Sequence, residues 1–458
     1  MESLKVLSKF LILIAFSIIA IACLYSVAIQ NQKKTNFHDQ FKKNHHLNQY
    51  ICLFLNNKFC VYGVRLFIVI TACFLLFQNL ISYYEIFKSA DYVDFKAFYL
   101  ASKMSIEGSN PYNLVEYTKN FLFPFLYPPN IIPLILPLAF FDYSTSARIF
   151  FAFNLVNVFL LIAGVLTLLK DKSWKSQVTL IIFCLFNFGI FHSLRMGQLT
   201  VVLSVGIIWA FIFARKNRNI LAGFLLGLVS IKPTLIILFL AYFLLKRRFL
   251  LVGVCLITSL IFCLVGLLIV QSSITDFLLM YKSGYDLAFS IVWNSPFTSP
   301  TRIDAEVIGA RLFSSNMFFA KLTSVGLQMI PIGFSFIYFY KQQILSNWSK
   351  RIYLSDVSLI TCLSVFSFYS QSYSTTTIVL VAPFLLNYLS SEILNKHISK
   401  IRVLAWSLSI FCFTILSPLS YMMLNYIVVI PSFALLILTV SIYILIEGKF
   451  AINKYQRI

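Results

Sequence analysis

The chain has little charge to spend on solvent. Only 12% of its 458 residues are Asp, Glu, Lys or Arg, about half the usual share for a soluble domain. Acids are the scarcer sign, 16 against 37 Lys and Arg. Cysteine and histidine are present but unpatterned. No CxxC pair and no Cys/His ligand spacing occurs, and most cysteines (Cys23, Cys73, Cys184, Cys255, Cys263, Cys362, Cys412) lie inside apolar runs. They read as small core hydrophobes, which excludes a disulfide framework and a metal centre. No Gly-rich loop follows a strand pattern, so nothing suggests a soluble Rossmann half or a bound nucleotide. No cofactor is expected. Repeats and low-complexity tracts are also missing.

What fills the space is apolar: 59% of residues are hydrophobic and mean hydropathy is +0.85. Continuous apolar runs recur along the chain, each long enough to cross a hydrocarbon core of about 30 Å. Because the runs are continuous rather than alternating, they predict helices and not barrel strands. The fold expected is an all-α polytopic membrane protein of about 11–13 transmembrane helices. The net charge of +21 is explained by the positive-inside rule rather than by nucleic acid, because Lys and Arg gather in short loops.

Two long polar stretches, 84–125 and 271–316, hold nine of the 16 acids: Glu85, Asp91, Asp94, Glu107, Glu116, Asp276, Asp286, Asp304 and Glu306. Short basic loops lie at 215–218, 246–248, 341, 350–351 and 396–402. The acidic stretches are therefore expected outside the cytoplasm, with short surface helices, and the basic loops inside. A leading apolar run, 6–29, is kept as a membrane helix because the segment after it is rich in Lys. This gives an N-terminal helix and basic loop over 1–62 and a main membrane domain over 63–458. The Pro-rich run 127–141 is short and is expected to re-enter rather than cross. The run 220–245 carries Lys-Pro in its middle and reads as a broken pair.

Four segments carry polar residues where lipid would disfavour them. The first is Asp91 to Tyr112, read as a short helix over Phe95–Glu107 with Asp94 as N-cap, Gly108 as stop, and Phe95, Phe98, Tyr99 and Ser102 on one face. Taken alone, Asp94 is as readily a cap as a chemical group. The second is Tyr127-Pro128-Pro129, whose prolines forbid regular helix bonding. The third is Met196-Gly197-Gln198. The fourth runs from Ala222-Gly223 through Gly227 to Lys232-Pro233. Lys232 lies midway between basic flanks, too deep to snorkel easily, and an ionisable group at that depth is a functional candidate. No acid occurs in the adjacent apolar runs.

Together these segments resemble glycosyltransferase family 87, enzymes of the membrane-embedded GT-C fold that use polyprenyl-phosphate sugars. The resemblance rests on Asp94-Phe95, Phe98-Tyr99-Leu100-Ala101, Gly108 to Pro111-Tyr112, Tyr127-Pro128-Pro129, Gly197-Gln198, Ala222-Gly223 and Lys232-Pro233, with a looser match at Asn294-Ser295. It covers about 65–300. Where the family often carries His, this chain reads Tyr373-Ser374-Thr375-Thr376-Thr377, which argues against carrying over any His-assisted chemistry. The resemblance implies inverting transfer of a hexose, mannose foremost, to a lipid or glycan acceptor on the extracytoplasmic face of a bacterial inner membrane. Asp94 would be the general base. Asp91, Tyr99, Tyr112, Tyr127, His192, Arg195, Gln198, Lys232 and Asn294 would contact substrate, with Lys232, Arg195 or His192 meeting the lipid phosphate. A broken helix and a deep lysine also suit a lipid-linked-sugar transporter, though no inverted internal symmetry is visible. A non-catalytic role in envelope assembly is a third alternative, against which the long acidic loops argue weakly.

Overall fold

A computed structural model describes residues 84–169, 173–345, 351–388 and 430–455, apart from Ile86 and Phe186, with a few positions between 404 and 412. The predicted helices at 6–29 and 65–83, the 1–62 segment and most of the 403–422 run lie outside the described residues. Within them the protein is helical with no extended sheet strand. Four helical stretches are long and apolar enough to cross a membrane: Tyr143–Thr167, Ser176–Met196, Phe249–Ile269 and Met317–Leu345. The last two expose rows of large apolar side chains, among them Leu256, Leu260, Leu264, Val325, Met329 and Phe334. Such a surface would aggregate in water and is at home in lipid. The chain is an all-α polytopic membrane protein.

The first element is α1 (Val93–Ile106). It starts two residues earlier than its sequence suggests. Tyr92 is the N-cap and makes no side-chain cap bond, so Asp94 lies inside the first turn rather than capping it. There the helix dipole still favours its charge, but its carboxylate is left available for another partner. The helix stops where Gly108 adopts φ +79°. Ser109 N–H then donates to Met104 O at 2.8 Å and Gly108 N–H to Ser105 O at 3.3 Å, the paired bonds of a left-handed glycine cap. A short α2 follows (Leu114–Asn120).

The stretch α3 (Pro129–Phe140) is a string of single turns. At about 18 Å it is too short to cross, as its prolines suggested. Helix α4 (Tyr143–Thr167) descends. Helices α5 (Trp174–Leu185) and α6 (Phe188–Met196) return, broken where the Asn187 side chain caps α6 by accepting from Ile190 N–H. Helix α7 (Thr200–Arg215) then runs back to the basic end.

The run 220–245 is a broken pair, α8 (Asn219–Val229) and α9 (Pro233–Leu245). Arg248 donates to Asn217 Oδ1 at 2.7 Å and to Asn219 Oδ1 at 3.2 Å. The outer ends of α8 and α9 therefore meet at the same basic end. Each helix is about 16–20 Å long, so the pair is a hairpin whose tip, Ser230–Lys232, stops inside the bundle. It packs on α10 (Phe249–Ile269), where a side chain at Gly223 would strike the Leu251 carbonyl and one at Gly227 would strike Thr258. Small residues at a membrane helix crossing allow that close approach.

Helices α11 (Ile274–Ser290) and α12 (Ala305–Leu312) occupy the second polar stretch. Helix α13 (Met317–Leu345) returns to the basic end. Helix α14 (Leu354–Ser367) rises again to a ten-residue 3₁₀ segment, Ser372–Val381, which leads into α15 (Ala382–Tyr388). The last described helix is α16 (Ile430–Tyr455). At the basic end a buried network ties α9, α13 and α14 together. Lys246 Nζ donates to Gln342 Oε1 at 2.7 Å and lies 3.7 Å from Asp356, which also accepts from Tyr242 Oη at 2.8 Å.

The hairpin yields a direct expectation. In a cysteine-free background, Asn217→Cys and Arg247→Cys should react with an impermeant thiol reagent from the same side of sealed vesicles. Labelling of the two from opposite sides would mean that 219–245 crosses the membrane.

Candidate functional site

The tip of the hairpin is where the predicted residues meet. The backbone turns at Lys232, the residue just before the Pro233 that opens α9. Pro at the first helical position gives up no hydrogen bond. The tip is held from α3, because Asn130 Nδ2 donates to Ser230 Oγ at 2.9 Å and Ser230 in turn lies 2.7 Å from Ser259 Oγ on α10. The Lys232 ammonium donates to Ser374 Oγ at 3.0 Å and sits 4.8 Å from the centre of the Tyr373 ring. Both partners belong to the first turn of the 3₁₀ segment. A cation over an aromatic face is attracted by the ring quadrupole, more strongly when desolvated.

Gln198 forms the opposite wall. Gly197 ends α6 with φ +70°, and any side chain there would lie 2.7 Å from both the Tyr92 and Phe95 Cβ atoms. Only glycine satisfies the backbone angle and the approach together. The result is that α1 begins directly against Gln198. The Gln198 side chain is buried, and its Oε1 accepts from Tyr127 Oη at 3.1 Å. Its amide nitrogen is thereby left to donate, and the Gln198 side chain lies close enough to the Asp94 carboxyl to favour its ionised form.

Asp94 is half-buried at the start of α1. Desolvation pushes its carboxyl up to about 6, against the opposing pull of the Gln198 hydrogen bond and the Lys232 charge. Lys232 and Asp94 feel each other, yet the four ion pairs within 4 Å among the described residues do not include them. A carboxylate that titrates near neutrality, held near but not on an ammonium, can accept a proton on one side of a substrate while the ammonium meets negative charge on the other.

The remaining predicted residues divide. Tyr127 is part of the group, fixed by the edge of Phe98 at 4.6 Å between ring centres and by Tyr112 Oη, which donates to its carbonyl at 2.8 Å. Tyr112 thereby braces Tyr127. His192 is buried behind Tyr373, with ring centres 6.0 Å apart. Tyr99 Oη donates to Phe141 O at 2.9 Å and holds α1 to the start of α4. Asp91 and Arg195 are exposed. Asn294 sits in the second polar stretch, where its Oδ1 accepts from Tyr369 Oη at 2.7 Å. Sequence reasoning passed over Tyr369, Tyr373 and Ser374 as site residues. Tyr369 lies close enough for its hydroxyl to sense Asp94. The run of hydroxyl residues at 373–377 was the available signal, but it was read only as a missing histidine.

The model of glycosyltransferase family 87 matches residues 125–315. That stretch contains Tyr127, Gln198 and Lys232 and stops short of Asp94 on one side and Ser374 on the other. The match supports glycosyltransferase activity in general, acting on a sugar donor and an acceptor. No curated protein and no solved structure matches the chain.

The Gly197 junction can be tested without any substrate. Gly197→Ala should destabilise the protein by more than the ~1 kcal/mol gained from restricting the unfolded chain at compatible glycines, with the sign reversed by strain. A clear drop in the thermal unfolding midpoint in detergent is expected. An unchanged or raised midpoint would mean that α1 is not seated on Gly197.

Proposed function

We propose that this protein transfers a hexose, mannose foremost, from a polyprenyl-phosphate sugar to a lipid or glycan acceptor, with Asp94 as general base and Lys232 at the donor phosphate. The observation that carries the reading is the meeting of Asp94, Gln198, Tyr127 and Lys232 at one hairpin tip, although the first and last are far apart in sequence. In the reaction, the acceptor hydroxyl oxygen attacks the anomeric carbon and its proton passes to Asp94. The bond from that carbon to the phosphate oxygen breaks, and the lipid phosphate leaves with the electron pair. General-base assistance of this kind contributes about 10²–10⁴-fold.

Gln198 aims the carboxylate, and Tyr127 aims Gln198. At the other wall two sources of positive potential coincide. One is the Lys232 ammonium; the other is the N-terminus of α9, whose first turn has no side-chain cap. A phosphate group is stabilised by both. Lys232 keeps a hydroxyl and an aromatic ring as its other partners, so its charge is not cancelled by a bonded carboxylate.

The acidic ends of the helices and the two polar stretches support an active site on the extracytoplasmic side, with the basic loops in the cytoplasm. A bacterial inner membrane is the setting the family resemblance implies. Residues 63–458 would then act as one GT-C unit, with 1–62 as an added helix and loop.

Because Asp94 caps nothing, Asp94→Asn should leave thermal stability nearly unchanged. Transfer from a radiolabelled polyprenyl-phosphate mannose in membranes should fall by about 10² or more. Near-normal transfer by Asp94→Asn, with Asp91→Asn as the parallel control, would remove Asp94 from the reaction.

A further inference from the structure

Arg302 lies in the second polar stretch and is completely buried. Its Nε and one terminal nitrogen donate to the two Asp304 carboxylate oxygens, each at 2.9 Å. The same terminal nitrogen reaches Glu306 Oε2 at 2.5 Å, and the other donates to Asn294 O at 2.8 Å. The guanidinium also faces the Tyr369 ring at 5.0 Å. Four of its five N–H donors are thus taken up inside the protein, none of them by Asp94.

What Arg302 does hold is a short strip of backbone. Arg302 and Gln371 form an antiparallel bridge. Ile303 N–H donates to Ser370 O at 3.0 Å, and Ser370 N–H donates to Asp304 Oδ2 at 3.1 Å. The Thr301 hydroxyl bonds the Gln371 side chain. Immediately beyond this strip the chain enters the 3₁₀ turn whose Tyr373 and Ser374 receive the Lys232 ammonium.

We propose that Arg302 is a positioning residue for Lys232: its bonds to Asp304 and Glu306 lock residues 302–304 against 370–371, and that lock sets where Tyr373 and Ser374 hold the lysine. The second polar stretch is thereby coupled to the phosphate end of the site. The effect on donor binding rests on the reading of Lys232 given above; the lock itself does not. Arginine is required because a lysine at 302 keeps the charge but loses the planar fork that bonds Asp304 through two nitrogens and stacks on Tyr369.

The test compares wild type with Arg302→Lys and with Glu306→Gln, a milder change at the 44% exposed rim of the cluster. Acylation of Lys232 by acetic anhydride, which transfers an acetyl group to the amine and releases acetate, is followed in detergent by mass spectrometry, and affinity for a short-chain polyprenyl-phosphate mannose is measured in parallel. Arg302→Lys should raise Lys232 labelling and weaken donor affinity by about tenfold each, the loss expected for one hydrogen bond to a charged group. Glu306→Gln should act in the same direction and less. Unchanged Lys232 labelling overturns the proposal, whatever happens to affinity. A parallel rise at Lys246, buried at the far end of the bundle, also overturns it, since that would be general loosening. Raised labelling at Lys232 alone with unchanged donor affinity upholds the lock and instead removes Lys232 from the phosphate site.

Discussion

A lysine at the tip of a half-crossing hairpin has to be given polar company, and the rest of the site follows from that requirement. Lipid offers Lys232 nothing, and neither α8 nor α9 carries an acid. A charged group at such depth is tolerated only against protein partners or water. The chain brings those partners from three directions. The 3₁₀ segment supplies a hydroxyl and a ring, the hairpin supplies the N-terminus of α9, and α1 supplies Asp94 as a charge felt but not bonded. Each partner leaves part of the lysine's field uncancelled, which is what an anionic substrate group needs.

Two buried ionic clusters bracket this arrangement. Near the basic end, Lys246 and Asp356 lock α9 to α13 and α14. In the second polar stretch, Arg302, Asp304 and Glu306 lock the loop to the strip that leads into the 3₁₀ segment. Buried pairs of this kind add little net stability, but breaking one costs about 3–5 kcal/mol because the remaining charge is stranded. Their value here lies in register. One fixes the base of the hairpin and the other fixes what its tip touches.

Much of this was legible in the sequence, and the reasons for the rest are specific. Hydropathy gave the helices, and prolines marked both irregular elements: Pro128-Pro129 the non-crossing α3, and Pro233 the break between α8 and α9. The polar residues at membrane depth, Gln198 and Lys232, announced themselves because lipid penalises them. A cap and a chemical group look alike at Asp94 in sequence, because capping is decided by backbone angles one or two residues away, which composition does not encode. The family resemblance implies substrate contact for Tyr99, Tyr112 and Asn294, and the bond that each hydroxyl or amide makes within the protein comes from distant parts of the chain that a local motif does not show. Tyr373 and Ser374 were passed over because their importance comes from a contact across 142 positions of chain. Arg302 was invisible for the same reason: an alternation of charge in a loop looks solvated until the fold buries it.

The central claim is that Asp94 and Lys232, from distant parts of the chain, share one electrostatic site. The pH dependence of kcat/KM for transfer from a polyprenyl-phosphate mannose tests it most directly. Asp94 must be ionised to take a proton, so the rate should fall as pH drops through about 6. The Lys232 charge favours the ionised carboxylate. Lys232→Ala should therefore move the acid limb to higher pH on a lower overall rate. An acid limb that stays in place in Lys232→Ala, or that persists in Asp94→Asn, would contradict the account.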